Sequence, residues 1–289
     1  MSLKCKICDN NEVSYFQQDA DILKCNICNY MFVATTPTIE QLRIHYSEPN
    51  QYEEWLINES GRDVMWEKRL KLILKNINHG NLLDISTGTG QFLQHAKRYF
   101  NVTGTEISLE AAKIAKEKYN LDLTVGNNSL ESLPDNCYDV ITLFHVLEHV
   151  DNPKQLILQA RQKLKHEGYL IIAVPNSTIT NFHTLKDVYL KNFAKKILTT
   201  VHSNNWKINK RFSPLTFAAG EEIHLSHFVR SSLRFLLENN DYKIIKDSID
   251  PYLDKQALYQ DIRFIITKII YKLTKINFYE TIWITAQKK

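Results

Sequence analysis

Between residues 79 and 180 the apolar positions switch back and forth between two spacings. NLLDIS is a nearly unbroken apolar run, TGTG interrupts it, and QFLQHAKRYF resumes with Phe92, Leu93, Ala96 and Phe100 on one helical face. The unit then repeats. VTGTEIS predicts a second strand ending in an acid, SLEAAKIAKEKYN a helix N-capped by Ser108, and LDLTVGN a third strand. YDVITLFHV and GYLIIAVPN follow as fourth and fifth strands, with the helix NPKQLILQARQKLK between them. Strands apolar on both faces, alternating with helices, predict a doubly wound α/β fold whose parallel sheet is covered on both sides. A ligand of such a sheet sits at the carboxyl ends of the strands, near the switch point.

Other patterns flank this segment. TIEQLRIHY and GRDVMWEKRLKLILKNI read as helices, with Tyr46 and Tyr52 as lid contacts or core aromatics. KDVYLKNFAKKIL sets Leu190, Phe193, Ala194, Ile197 and Leu198 on one helical face, with Lys186, Lys191, Lys195 and Lys196 around the rest. QALYQDIRFIITKIIYKLTK repeats the pattern, with Ile262, Ile265, Ile266, Ile269 and Leu273 expected inward. An exposed remainder would support a dimer, so monomer and homodimer both stay open. The basic helix at 186–198 favours an anionic partner: a nucleotide-linked sugar, a phosphorylated lipid carrier or a membrane surface. A packed lid with a solvated lysine face is the alternative.

The 289 residues are 44% hydrophobic and 24% charged, enough for one sizeable core and a smaller attachment. No uninterrupted apolar run reaches spanning length and no signal-peptide core is visible, which predicts a cytoplasmic protein. The net charge of +4 is too small to argue for nucleic acid. Four of the five cysteines form C-x2-C-x16-C-x2-C at Cys5, Cys8, Cys25 and Cys28, two hairpin knuckles suited to tetrahedral zinc. Four thiolates close the shell, so the metal is expected to be structural. Cys137 reads as a small buried side chain.

The turn DISTGTG falls where a ligand of the sheet would lie. Gly88 and Gly90 permit a sharp bend, and Glu106 ends the second strand, where a carboxylate can accept hydrogen bonds from both hydroxyls of a ribose. With VGNNSLESLPDNCYDVITLFHVLEHVDNP and GYLIIAVPN, this run resembles the class I S-adenosylmethionine-dependent methyltransferases. The leading segment with its two Cys pairs is similar to the zinc-ribbon start of a bacterial subset associated with sugar, surface-glycan or natural-product methylation. The resemblance implies a Rossmann-like seven-stranded sheet in the order 3-2-1-4-5-7-6 with strand seven antiparallel. It also implies a zinc ribbon at 1–36, a helical linker or lid at 37–78, a cofactor-binding core at 79–180, a substrate-side insertion at 181–220, and a C-terminal part at 221–289 with a helical insertion at 251–276. S-adenosylmethionine would be cradled by Asp84, Ser86, Thr87, Gly88 and Gly90, with Glu106 and Ile107 at the ribose, Asn127 and Asn128 at the adenine, and Phe144 and His145 beneath the sulfonium. Ser86 departs from the glycine most relatives carry, and Asn127 from their aspartate. The acceptor implied is a small or carrier-linked molecule, a sugar, nucleotide-sugar or surface-glycan precursor.

FHVLEHV spells His-x-x-Glu-His, which on a helix would be an inverted zinc-peptidase signature. Strand four must emerge near Phe144, so His145 lies at a strand end and the two histidines do not share a helical face. His145, Glu148, His149 and, beyond the insertion, His224 are then candidates for proton transfer from the acceptor, or for holding the loop after strand four. Similar quinone O-methyltransferases carry acids here and use a divalent ion, but the position three before Glu148 is His145 in this chain, which argues against a metal role. A ribosomal-RNA methyltransferase with an RNA-holding ribbon is another alternative, although Lys4, Lys6 and Lys24 are balanced by Asp9, Glu12, Asp19 and Asp21. A cofactor-binding protein without activity is a third.

Overall fold

The computed structural model describes residues 4–18, 21–48, 52–126, 129–177, 223–251 and 258–289. The chain opens with β1 (Val13–Gln17), β2 (Ile22–Cys25) and β3 (Met31–Val33), then α1 (Ile39–Tyr46), α2 (Glu53–Ile57) and α3 (Glu59–Ile73). The core begins with β4 (Asn81–Ile85), α4 (Gln91–Ala96), β5 (Asn101–Glu106), α5 (Leu109–Tyr119) and β6 (Thr124–Val125). It continues with β7 (Tyr138–Phe144), α6 (Pro153–Lys163) and β8 (Leu164–Pro175). β9 (Ser226–His227), α7 (Arg230–Glu238), β10 (Tyr242–Ser248), α8 (Leu258–Thr274) and β11 (Thr281–Lys288) complete it.

Seven strands join in the order β6-β5-β4-β7-β8-β11-β10, which is 3-2-1-4-5-7-6 in core numbering. β11 runs antiparallel to both neighbours, and the other pairings are parallel. The apolar runs explain the layering, because successive side chains of a strand face opposite sides. Leu82, Val140, Ile171 and Trp283 pack with α3 and α4, while Leu83, Ile141, Leu170 and Ile284 pack on the other face with α7. Local signals start the helices. Ser108 accepts from Ala111 N, Asn152 accepts from Gln155 N ahead of Pro153, and Thr38 and Gln41 form a capping box on α1.

Three features depart from the pattern reading. β9 pairs antiparallel with β3, so the returning chain adds a fourth strand to the ribbon sheet. Two residues are too few to show a period. The ribbon is also tied to the start of α6 by ion pairs Lys6–Asp151, at 2.5 Å, and Lys154–Asp9. The isoleucine face of α8, expected inward, is exposed. The opposite face packs instead, through Phe264 and Tyr271 against Ile249 and Tyr279. Cys137 is half-buried, its sulfur 3.9 Å from Asn81 Nδ2. The lysine-rich helix expected at 186–198 lies outside the described residues, as do Asn127 and Asn128.

Candidate active site and metal centre

The two cysteine pairs form matching knuckles. Asp9 N donates to Cys5 O and Asn29 N to Cys25 O, while Cys5 N and Cys25 N donate to Asn10 O and Tyr30 O. Asp9 and Asn29 adopt φ of +59° and +60°, a left-handed conformation that Asp and Asn tolerate best after glycine. The loops thereby bring all four sulfurs within 4.8 Å of one another. Such a donor set fits zinc, and it would hold the metal in a closed shell without an open position for chemistry. Ile7, Leu23, Tyr30 and Phe32 belong to the same apolar cluster as the central sheet, so loss of the knuckles would reach the core. Metal analysis is expected to find one zinc per chain, and Cys25→Ser to abolish it with a fall in Tm of roughly 10 °C or more. A metal-free chain of equal stability would remove zinc from this account.

At the carboxyl end of β4 the chain bends through Ser86, Gly88 and Gly90, with φ of +54°, +59° and +81°. Ser86 therefore keeps a left-handed backbone despite its β-carbon, a strain of about 1 kcal/mol or more. Thr87 N donates to Thr105 O, which ties the bend to β5. Buried Asp84 accepts from Thr87 Oγ1 at 2.5 Å and Thr142 Oγ1 at 2.6 Å, and burial raises its pKa to about 7 against those bonds. Glu106 is also buried, and it spans the gap between the strand ends. One oxygen accepts from Gly88 N at 2.7 Å, the other from Ile107 N and Ser108 N. Burial raises its pKa while the three amides work to lower it.

The lid elements lie on this bend. A β-carbon placed on Gly88 would come within 2.9 Å of Trp55 Cζ3. Arg62 covers the same indole at 4.3 Å. Tyr52 is buried beside Glu106 and Ser108; its hydroxyl donates to Tyr46 O. A buried acid joined to a glycine bend beneath aromatic rings fits the nucleoside end of S-adenosylmethionine, and a carboxylate with about four acceptor positions has capacity beyond three amides. Because Trp55 touches Gly88, the position of α2 governs how much room a ligand has there.

The next strand end carries a charge network. Phe144 packs among Trp66, Phe92 and Trp283 with ring centroids 4.9–5.7 Å away. His145 follows with φ +57°, and residues 145–149 form a bend and turn with no shared helical face. Its Nδ1 lies 3.1 Å from Glu148 Oε1; Nε2 lies 3.1 Å from Arg69 Nη2 and 3.8 Å from Asp250 Oδ2. Arg69 donates to both oxygens of Asp250, and both residues are buried. Two carboxylates and one guanidinium therefore face the ring, and the guanidinium, which can only donate, opposes a proton on Nε2. Burial also opposes the charge, but the bonds to Asp250 and Glu148 prevail and raise the His145 pKa to about 9. Neither Arg69 nor Asp250 carries any motif, and their pairing across 181 positions has no local sequence signal.

His149 and His224 meet on the other side of Glu148. Their rings lie 5.0 Å apart, and their nitrogens and a Glu148 oxygen fall within 4.8 Å of one another, a second group that can hold a metal ion. The Glu148 carbonyl accepts from Leu225 N and Ser226 N, which docks the chain returning from the insertion. His149 Nδ1 is 2.7 Å from the Ile223 carbonyl and 3.1 Å from the Tyr46 hydroxyl. A carbonyl can only accept, so Nδ1 carries the proton and Nε2 the basic lone pair. His145, Glu148, His149 and His224 thus come together, although from two chain segments.

A buried acid and a glycine bend at adjacent strand ends of a 3-2-1-4-5-7-6 sheet define a nucleoside-binding class of α/β proteins. A family described as a methyltransferase domain matches residues 57–247, and the chain belongs to it. Among curated relatives, it is 29% identical over 188 residues to a ubiquinone biosynthesis O-methyltransferase of Rickettsia typhi, covering 62% of this chain and 74% of that one. It is 30% identical over 124 residues to an uncharacterized protein of Methanocaldococcus jannaschii, covering 43% and 57%. A demethylmenaquinone methyltransferase of Thermotoga maritima is 26% identical, with 46% and 61% covered. The match thus spans little more than half the length of two of these three relatives. The fold is shared with a SAM-dependent methyltransferase from Archaeoglobus fulgidus, at TM-score 0.51 and 21% identity over 81% of this chain and 99% of that one. It is also shared with a magnesium protoporphyrin IX methyltransferase from Synechocystis solved with bound SAH, at 0.53 and 12% over 87% and 100%.

Proposed function

We propose that the chain transfers a methyl group from S-adenosylmethionine to a small or carrier-linked acceptor. The observation that carries this reading is the Glu106 carboxylate held against Gly88 in a chain of the methyltransferase-domain family. When bound, the sulfonium supplies an activated methyl group, so the protein's work is alignment, exclusion of water and removal of one proton. Glu106 and the bend hold the nucleoside. Trp55 and Tyr52 cover it. The His145–Arg69–Asp250 network fixes the strand end under the reacting atoms, and both ring nitrogens of His145 are already engaged, by Glu148 and by Arg69. His149 Nε2 is the base in this scheme, with Nδ1 steadied by the Ile223 carbonyl.

For the acceptor, the ribbon resemblance supports a sugar, nucleotide-sugar or surface-glycan precursor. The curated relatives named for ubiquinone and menaquinone synthesis support a quinone-type ring. RNA is disfavoured, because Lys6 of the ribbon is paired with Asp151, and Asp9 draws in Lys154. The test is methyl transfer from labelled cofactor to nucleotide-sugars, catechol-type quinone precursors and ribosomal RNA in parallel. His149→Gln should lower kcat about a hundredfold or more while leaving cofactor affinity unchanged. Transfer to no panel member, together with no binding of cofactor, would end the proposal.

A further inference from the structure

The exposed face of α8 is a feature that methyl transfer does not use. Ile262, Ile265, Ile266, Ile269 and Leu273 recur at helical spacing, and with Ile276 just beyond the helix they are between 45% and 78% exposed. Their arrangement is not an accident of a loosely placed helix. The opposite side is anchored by Phe264 and Tyr271, and the Tyr271 hydroxyl donates to Asp247. A continuous apolar stripe of this kind marks an interaction surface in a water-facing protein.

Its surroundings are basic. Lys268 and Lys272 lie on the helix, Lys275 just past it, Lys246 on β10 and Lys75 in the turn after α3. Among the described residues none of Lys75, Lys246, Lys268 and Lys272 is paired with an acid. Of the nearby acids with described side chains, Asp247 is engaged by Arg230 and Arg234, and Glu280 by Arg263. Lys246 titrates low through desolvation and then through the charges of Lys268 and Lys75; Lys268 does so through desolvation and Lys75. Like charges are thus crowded together beside the stripe. At its end, Ile276 and Lys275 continue into a groove of about 460 Å³ shared with Phe16, Lys24 and Met31 of the ribbon.

We propose that α8 lies in the interface of an anionic lipid bilayer, with its isoleucine stripe among the acyl chains and the lysines at the headgroups. Charge decides between occupants. A second copy would set one lysine row against another, and the segment 186–198 of this chain is itself lysine-rich, so neither complements the patch. Headgroup phosphates do. Among the described residues no helix is long and apolar enough to cross a membrane, so the contact is peripheral. The inference stands apart from the methyl-transfer reading, since binding is measured without turnover.

The test is co-sedimentation of the full chain with vesicles of phosphatidylcholine alone or with about one third phosphatidylglycerol, alongside light scattering of the free protein. Binding to the anionic vesicles, weakened by salt and reduced about tenfold or more in both Ile265→Gln/Ile269→Gln and Lys268→Glu/Lys272→Glu, is the expected result. The substituted side chains are exposed, so thermal stability should be retained. A wild-type chain that stays in the supernatant with anionic vesicles overturns the proposal, as does undiminished binding by either variant. A wild-type dimer that Ile265→Gln/Ile269→Gln converts to monomer, with no vesicle binding, would make the face an interface between copies instead.

Discussion

Arg69→Met should destabilise the protein by about 3–5 kcal/mol, because it strands a buried carboxylate. Asp250 is fully buried and Arg69 is 1% exposed, and the guanidinium also lies over the rings of Trp66 and Phe144 at 4.8 and 4.9 Å. Methionine replaces much of the stem packing but none of the charge. The double variant Arg69→Met/Asp250→Leu should recover a large part of the loss, since it leaves neither charge behind. Thermal denaturation of the two variants and their parent measures this; an unchanged Tm in Arg69→Met would show that the pair contributes nothing. The network also has a pH signature. The His145 pKa is raised to about 9 by Asp250 and Glu148 against burial, so its contribution is fully present below the ordinary histidine value and is lost as pH rises through about 9. His145→Phe should flatten the fall in stability across that window.

Glu106→Ala should reduce affinity for S-adenosylmethionine and its demethylated product by about a hundredfold. Two hydrogen bonds from ribose hydroxyls to a buried carboxylate are together worth about 3 kcal/mol. The same oxygens hold Gly88 N, Ile107 N and Ser108 N, so the variant also loosens the bend from β5. Glu106→Gln separates the two roles. Its amide keeps one acceptor for the backbone, but its NH2 group cannot accept, so cofactor affinity should fall while Tm changes less than in the alanine variant. Calorimetry on folded Glu106→Ala with undiminished affinity would remove this acid from the cofactor site.

Strand four shows where legibility in the sequence stopped. Its apolar run and the turn after it were readable, so His145 was expected at a strand end and His149 away from a shared helical face. That His145 sits between Glu148 and a buried Arg69–Asp250 pair depends on α3 and the chain after β10, neither of which stands out in sequence. The Ser86 departure is similar. Sequence shows a serine where the family resemblance implies glycine, but only the backbone shows that it keeps a left-handed φ of +54°.

What the sequence determined by itself was local: the strand and helix periods, the glycine bend with its acid, and the two cysteine knuckles. These depend on spacing within a few residues, where covalent geometry already decides what can meet. Tertiary structure decided which surfaces meet. It joined β9 to the ribbon, closed Arg69 on Asp250, and turned the isoleucines of α8 outward. An amphipathic period says that a helix has two faces, but which one is buried depends on the shape offered by the core. Here Ile249 and Tyr279 accept Phe264 and Tyr271, and the aliphatic stripe is left on the surface.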